Sequence, residues 1–217
     1  MRTADEYRAK LKSMRPNVYM NGKLIRRDDP LLAGGVNTIA ETFNLAQDPA
    51  HADLMTAVSH LTGKKINRFC HIHQTPEDLL KKQEMTRSCC QLVGGCIQRC
   101  MGIDALNALS VVTKDMDDKL GTGYHKNFLN YLTRYQEEDL VGNCAQTDVK
   151  GDRSLRPHQQ EDPDLYLRVV EKKEDGIVVR GAKAHNTIAP YADEIIAIPT
   201  RMMTEKDAGW AVAFAMP

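Results

Sequence analysis

The stretch DLYLRVVEKKEDGIVVRGAKAHN, residues 164–186, decides the fold class, because its apolar and polar residues alternate on both sides of a turn signal. Alternation with a period of two is typical of half-buried β-strands, and the pair Asp175-Gly176 between the two runs is a strong hairpin signal. Two more β-type runs follow, EIIAIPT at residues 194–200 and the final apolar run GWAVAFAMP. The sequence therefore predicts an antiparallel β region at the end of the chain.

Before Gly142 the period changes to that of amphipathic helices. Residues 36–47, VNTIAETFNLAQ, carry apolar side chains at helical intervals, and so do residues 124–140, YHKNFLNYLTRYQEEDL. Between them, residues 75–103 begin with a helix-start signal of Thr, Pro and, three residues after the Thr, Asp. We therefore expect an α+β protein with a helical domain over residues 1–140 and a β domain over residues 141–217.

Two thiols, Cys96 and Cys100, lie four residues apart in the segment GGCIQRCMGID. If residues 75–103 form one helix, both thiols lie on the same face and can approach a common ligand. The predicted inward stripe of this helix is Leu79, Leu80, Met85, Cys89, Leu92, Cys96 and Cys100. The alternative is that both thiols simply pack in the core, as free cysteines usually do. The pair Gly94-Gly95 is unusual in a core helix, since it costs about 1 kcal/mol per residue relative to alanine.

The composition narrows the class of protein. The 217 residues carry 29 basic and 29 acidic side chains, so nothing in the charge balance favours nucleic acid or an anionic membrane. No apolar run is long enough for a membrane span or a signal peptide, and we expect a cytoplasmic protein. Its six cysteines should then be reduced thiols rather than a disulfide framework. The motif CHIH at residues 70–73 precedes a capped helix, and we interpret its histidines as ordinary surface residues.

Four segments together resemble the 4-hydroxybutyryl-CoA dehydratase/vinylacetyl-CoA Δ-isomerase family, and more distantly the large component of 4-hydroxyphenylacetate 3-monooxygenase. They are CIQRC at 96–100, GTGYHKNFLNYLTRYQEEDL at 121–140, NCAQTDVKGDRS at 143–154 and RGAKAHNTIAPYADEIIAIPT at 180–200. The resemblance implies an acyl-CoA dehydrogenase-like fold: an N-terminal helical domain, an antiparallel β-barrel domain that is truncated here, and a C-terminal helical bundle that this sequence lacks. It also implies that the complete enzyme is a homotetramer.

The same resemblance implies two cofactors, a [4Fe-4S] cluster and FAD. In the dehydratase family the cluster is held by three cysteines and one histidine, and the first two cysteines match Cys96 and Cys100. The other two ligands belong to the bundle, in the same or a companion chain, so we expect the isolated chain to be inactive, because two thiolates leave a cluster under-ligated. The residues implied for FAD are Asn143, Gln146, Thr147, Asp148, Arg153, Ser154, Asn186 and Thr187. A capped turn is the alternative for Asn143, Thr147 and Asp148, since turns favour these residue types.

The activity that the resemblance implies is dehydration of 4-hydroxybutyryl-CoA, a CoA thioester, to crotonyl-CoA. Transient one-electron oxidation by FAD would acidify the unactivated β-hydrogen, and the cluster would act as a Lewis acid on the departing hydroxyl. The main acid and base groups would lie in the missing part, with Tyr124 and His125 as weaker candidates here for substrate contact or for packing. The alternatives are a flavin-dependent aromatic hydroxylase, which has no use for paired thiols, and a non-enzymatic interaction module.

Overall fold

The computed structural model of the protein describes every residue, 1–217. The helices are α1 (Ala4–Ser13), α2 (Ala33–Gln47), α3 (Ala52–Met55), α4 (Pro76–Val93), α5 (Cys100–Leu120) and α6 (Tyr124–Glu137). The strands are β1 (Val18–Met20), β2 (Lys23–Ile25), β3 (Thr56–Val58), β4 (Lys65–Asn67), β5 (Gly142–Ala145), β6 (Arg168–Lys173), β7 (Gly176–Arg180), β8 (Glu194–Ala197) and β9 (Phe214–Met216). None of the helices is both long and apolar enough to cross a lipid bilayer.

The chain divides into two compact units. The first contains residues 1–142 and also residues 188–193, and the second contains residues 143–187 and 194–217. All six helices belong to the first unit, together with the antiparallel pairs β1–β2 and β3–β4, which the helical periodicity did not predict. Strands of three residues are too short for an alternating pattern to stand out from the sequence around them.

The core of the first unit forms where α1 packs against α2. Helix α1 begins at a capping box and buries Tyr7, whose ring stacks on that of Phe43 of α2 with centroids 5.2 Å apart. The periodicity of residues 36–47 is confirmed, since Ile39, Ala40 and Phe43 are all buried in this cluster. Three later residues complete the same cluster: Val141, Ile188 and Ala192. Residues 188–193 therefore belong to the first unit because they supply part of its core.

Two arginine side chains lie close to the ring of Phe43. The guanidinium carbon of Arg99 is 4.1 Å from the ring centroid of Phe43, and that of Arg2 is 5.1 Å from it. Each arginine is paired with a buried carboxylate, Arg99 with Asp139 at 2.7 Å and Arg2 with Asp193 at 2.6 Å. Stacking on an aromatic face and pairing with a carboxylate together compensate for the loss of water around each charge.

The single helix expected over residues 75–103 is wrong. Helix α4 starts at the expected cap, with Thr75 and Asp78 forming a capping box, but it ends at Gly94, which adopts the left-handed conformation with a φ of 71°. Glycine ends helices in this way because it has no Cβ to clash. A second helix, α5, then starts at Cys100.

The predicted inward stripe of α4 is correct only in its middle. Met85 and Cys89 are fully buried, whereas Leu79, Leu80 and Leu92 are 49%, 70% and 57% exposed. Cys96 is exposed and lies outside both helices. The stripe was extended across the helix break, and residues on the two sides of a break do not share one face.

The second unit contains two small sheets. Strands β6 and β7 form the predicted antiparallel hairpin, but Lys173 pairs with Gly176, so its turn residues are Glu174 and Asp175. The other sheet has the order β5-β8-β9, and β9 is confined to residues 214–216 because residues 205–210 form a 3-10 helix. No closed barrel is present.

We expect Gly102→Ala to destabilise the protein. Gly102 lies in the first turn of α5, and a Cβ there would come within 2.8 Å of the backbone oxygen of Gly142 and 2.9 Å of the Tyr135 hydroxyl oxygen. Such overpacking costs about 1–3 kcal/mol in the free energy of unfolding. The matched control is Gly34→Ala in the first turn of α2, where a Cβ meets no atom within 4 Å, and this change should be neutral or stabilising. Urea unfolding of both variants checks this, and equal stability of the two would contradict the close approach.

Candidate functional site

The two thiols of the CIQRC motif lie on either side of a turn. We call residues 94–99, which connect α4 to α5, the thiol loop. Cys96 is an exposed residue in this loop, and Cys100 is the half-buried first residue of α5. The expectation that both thiols share a helical face is therefore wrong, because Gly94 ends α4 before Cys96 is reached. Cys96 instead belongs to a loop and Cys100 to a helix.

Side chains in the thiol loop alternate between solvent and core. Cys96 and Gln98 are exposed or half-buried, whereas Ile97 and Arg99 are each 1% exposed. Gln98 has a φ of 51°, and the Arg99 N–H donates to the oxygen of Ile97 at 2.7 Å. With this tight turn at Gln98, the side chains of Ile97 and Arg99 both enter the core.

The thiols near the loop differ in their environment. Cys89 is fully buried on α4, and burial raises the pKa of its thiol to about 12. Burial also raises the pKa of Cys100. Cys90 and Cys100 are half-buried and pack against one apolar cluster that includes Cys89 and Ile97. No group of three or more His, Cys, Asp or Glu side chains is arranged to hold a metal ion. The chain thus offers one pair of candidate ligands at the loop and no complete metal site.

In the second unit, hydrogen bonds bring together two of the segments predicted to bind flavin. The Ala184 N–H donates to the Thr147 oxygen at 2.8 Å, and Lys183 forms an ion pair of 2.8 Å with the buried Asp148. Asp148 also accepts the Leu167 N–H at 3.0 Å. The Asp148 carboxylate therefore has a structural role within the second unit. It holds residues 183–184 beside residues 146–148.

The remaining flavin candidates differ in exposure. Gln146, Arg153, Ser154 and Thr187 are exposed, and Asn186 is half-buried. Asn143 is 2% exposed, and its side-chain nitrogen has no hydrogen-bond partner. A buried amide without a partner is uncommon in folded proteins. The exposed polar side chains are suited to binding a polar ligand, whereas the Asn143 amide is buried below the surface.

Tyr124 and His125 begin helix α6 and are held by one carboxylate. Asp117 of α5 accepts the Tyr124 N–H at 2.9 Å and the His125 N–H at 3.1 Å. The His125 ring nitrogen Nδ1 lies 3.0 Å from the hydroxyl of Thr113. The Tyr124 side chain is 51% exposed. The backbones of both residues are thus part of the α5–α6 connection, and the ring of Tyr124 is free to contact a ligand.

The CHIH histidines are not ordinary surface residues. His71 is 4% exposed, and its Nε2 lies 3.2 Å from the Asp78 carboxylate of the α4 capping box. Together with the buried Arg68, these residues line an open cavity of about 770 Å³ between α3, β3 and α4. The surface interpretation failed because the partner of His71 lies in the next helix, and only the cap pattern of that helix was visible in the sequence.

Comparison with known proteins identifies the family. A family model described as 4-hydroxyphenylacetate 3-hydroxylase N terminal matches residues 3–217, and the chain belongs to this family. Within it, the chain is 51% identical to the 4-hydroxybutyryl-CoA dehydratase/vinylacetyl-CoA-Delta-isomerase of Clostridium aminobutyricum over 99% of its own length. It is 30% identical to the 4-hydroxyphenylacetate 3-monooxygenase oxygenase component of Thermus thermophilus. The chain spans 44% of the length of each of these relatives.

Solved structures agree with these relatives. An oxygen-tolerant archaeal 4-hydroxybutyryl-CoA dehydratase from N. maritimus superposes with a TM-score of 0.96 at 43% identity, over all of this chain and 43% of the other. The oxygenase component of 4-hydroxyphenylacetate 3-monooxygenase complexed with FAD superposes with a TM-score of 0.79 at 27% identity, over all of this chain and 44% of the other. The chain thus shares the fold of the corresponding part of the dehydratase and of the oxygenase component, with helices and small sheets.

We expect Asp78→Asn to change how stability depends on pH. Although burial alone would raise the pKa of Asp78, hydrogen bonds from the Gln74 N–H and His71 lower it to about 2 from an ordinary 3.8. The carboxylate therefore stabilises the fold above its unfolded pKa, by about 2 kcal/mol at most, and this contribution is lost as the pH falls from about 5 towards 2. Urea unfolding at several pH values checks this, with the exposed neighbour Glu77→Gln as control. A stability difference that stays constant over that range would contradict the assignment.

Proposed function

We propose that this chain is the first part of an enzyme that dehydrates 4-hydroxybutyryl-CoA to crotonyl-CoA and isomerises vinylacetyl-CoA, using FAD and a [4Fe-4S] cluster. The observation that carries the proposal is the thiol pair of CIQRC, presented at a turn in a chain 51% identical to a dehydratase/isomerase. Paired accessible thiols suit a cluster because thiolates are the usual ligands of iron–sulfur centres.

The complete enzyme would need more chain than the part described. The relatives are more than twice as long as this sequence, which spans 44% of them. We assign the missing length to a C-terminal helical bundle, in the same or a companion chain, and the complete fold to the acyl-CoA dehydrogenase-like class with a domain boundary near residue 140. A homotetramer is the proposed assembly, and the isolated chain is proposed to be inactive.

The ligand set for a cluster is half present. Cys96 and Cys100 can each give one thiolate, and the first unit contains no third group arranged with them. The missing bundle would supply the third cysteine and a histidine. When bound, the cluster would supply a Lewis acid for the departing hydroxyl, and FAD would supply a reversible one-electron acceptor for the substrate, which together would make the β-hydrogen removable. The task of this chain is to hold the two thiols at a fixed place and to exclude water from behind them with the buried Ile97.

The second unit is the proposed flavin-binding surface. Residues 146–148 lie beside residues 183–184, which precede Asn186 and Thr187, and the exposed polar groups of these segments can donate to the ring edge and the pyrophosphate of FAD. The unpaired Asn143 amide and the exposed Arg153 and Ser154 are the further candidates. A related oxygenase was solved in complex with FAD, which supports a flavin in this family.

A flavin-dependent aromatic hydroxylase is the second candidate function. It is favoured by the 30% identity to an oxygenase component and by the name of the matching family. The thiol pair discriminates against it, because a hydroxylase that activates oxygen on reduced flavin needs no metal cluster. Tyr124, exposed at the start of α6, is available to a substrate in either reaction.

We expect Cys96→Ser and Cys100→Ser to lower iron content and dehydratase activity together in the complete enzyme. A serine hydroxyl is a harder and poorer ligand for iron than a thiolate. The measurement is iron and acid-labile sulfide in anaerobically prepared protein, beside turnover of 4-hydroxybutyryl-CoA.

The matched control is Cys90→Ser, which removes a half-buried thiol from the same apolar cluster. It should cost some stability but keep the iron. If either motif variant retained full iron and normal turnover, the two cysteines would be packing residues and the dehydratase proposal would fail.

We expect the double substitution Thr147→Ala and Thr187→Ala to weaken flavin retention. Both hydroxyls belong to the proposed flavin-binding segments, and alanine removes the groups that would bond to the flavin without disturbing the Ala184–Thr147 backbone bond. Flavin absorbance after gel filtration of the complete enzyme measures the effect. Thr204→Ala, a change in a 3-10 cap of the same unit, is the control for stability. Unchanged flavin content in the double variant would contradict the proposal that these two segments bind flavin.

A further inference from the structure

The thiol loop has few contacts that fix its position. Gly94 and Gly95 open it, and a Cβ on either would meet no atom within 4 Å. Cys96 follows as an exposed residue. The N–H groups of Gly94 and Gly95 both donate to the Cys90 oxygen at the end of α4. The first half of the loop is thus held by its backbone alone, and the place of Cys96 also depends on what comes after it.

Two buried side chains anchor the second half of the loop. Ile97 is 1% exposed and packs in the apolar cluster beneath α4. Arg99 is also 1% exposed, and its guanidinium donates to the Thr42 hydroxyl at 2.8 Å and to the Asp139 carboxylate at 2.7 Å. Ile97 contributes a non-directional apolar contact, whereas Arg99 has two directed hydrogen bonds to two different segments. Arg99 therefore defines both where the loop ends and how α5 begins.

The Arg99 site is built for a guanidinium. The rings of Phe43 and Phe69 lie 4.1 and 5.1 Å from its guanidinium carbon. Burial alone would lower the pKa of Arg99, but attraction to Asp139 raises it above the ordinary value, so the side chain stays charged. Asp139 has a φ of 48° and also accepts the Arg2 N–H at 3.2 Å. An aspartate held in the left-handed region by these two partners is a fixed acceptor, not a mobile one.

We propose that the buried Arg99–Asp139 pair is the positioning element of the thiol pair, setting the separation and orientation of Cys96 and Cys100. Arg99 directly precedes Cys100 and follows Cys96 by three residues, so its two directed hydrogen bonds fix the backbone from which both thiols extend. The link to iron rests on the proposed function, but the effect on the thiols themselves does not. Arg99 is a positioning residue, since it acts through the cysteines and touches no ligand.

The first test compares thiol reactivity in iron-free protein. In Arg99→Lys the charge is kept, but a single ammonium cannot bridge Thr42 and Asp139 in the same geometry. We expect iodoacetamide to alkylate the half-buried Cys100 about tenfold faster or more, because local opening now precedes each reaction. Alkylation of the buried Cys89 on α4 should not change. Mass spectrometry of labelled peptides measures each rate separately, and amide hydrogen exchange should rise across residues 94–100 only.

Arg27→Lys is the matched control. Arg27 is 5% exposed in the same unit and donates to the Ala192 oxygen at 2.6 Å and to Asn17 at 3.3 Å. It is nearly as buried as Arg99, but neither of these two hydrogen bonds involves the thiol loop. This variant should lose stability without changing the alkylation of Cys100. If Arg99→Lys does not fold, Thr42→Val, which removes one of the two acceptors, should raise the Cys100 rate by a smaller factor.

The outcomes separate the two proposals. Equal acceleration of Cys100 and Cys89, or the same pattern in Arg27→Lys, would overturn the positioning role, since it would show only global loosening. In the complete enzyme, Arg99→Lys should also retain less iron than Arg27→Lys at equal Tm. If the unsubstituted enzyme binds no iron, the proposed function fails, while the alkylation result still decides the role of Arg99. An unchanged Cys100 rate in Arg99→Lys and in Thr42→Val would refute the inference.

Discussion

Two arginine–aspartate pairs that meet at the ring of Phe43 are the constraint on which the helical unit depends. The four charged residues come from the start of the chain, the thiol loop, the end of α6 and residue 193, so segments distant in sequence meet at one ring. Apolar contacts alone would tolerate small shifts among these segments, but a buried ion pair does not. Loss of one partner leaves a charge without water or counter-ion and costs about 3–5 kcal/mol. The pairs therefore specify one arrangement of the core and not merely its compactness.

Much of the fold could be predicted because its signals are local. The period of α2, the Thr75–Asp78 cap of α4 and the alternation of β6 and β7 each depend on residues close in sequence. The errors were also local in origin. The pair Gly94-Gly95 is unusual in a core helix, but a glycine pair can either be tolerated within a helix or end it. Which of the two occurs depends on whether the following residues gain more outside the helix, and here the burial of Ile97 and Arg99 decides it.

The candidate site was less accessible to sequence reasoning, for a physical reason. The thiols could be named from their spacing and from a family resemblance, but the side chain that fixes them could not. Arg99 lies inside the quoted motif, and an arginine there suggests solvent rather than a core. Only the partners at Thr42 and Asp139 explain its burial, and they lie 57 and 40 residues away. In the same way, His71 looked like a surface residue until Asp78 was seen beside it. In both cases a polar residue is buried because a partner elsewhere in the chain pairs with it, and the sequence alone does not reveal which residue that partner is.

Residues 188–193 belong to the first unit, and this has a consequence for the order in which contacts form during folding. Asp193 pairs with the side chain of Arg2, a contact that spans 191 positions, so this ion pair can form only when almost the whole described chain is available. Contacts of such separation form late, because a long loop must close first. Helix α1 needs no such distant partner to form, because its capping box, in which the Glu6 carboxylate accepts the Thr3 N–H at 2.7 Å, is local and its Tyr7 stacks on Phe43 of the next helix. The packing of α1 on α2 can therefore form early, and the Arg2–Asp193 pair fixes it only later.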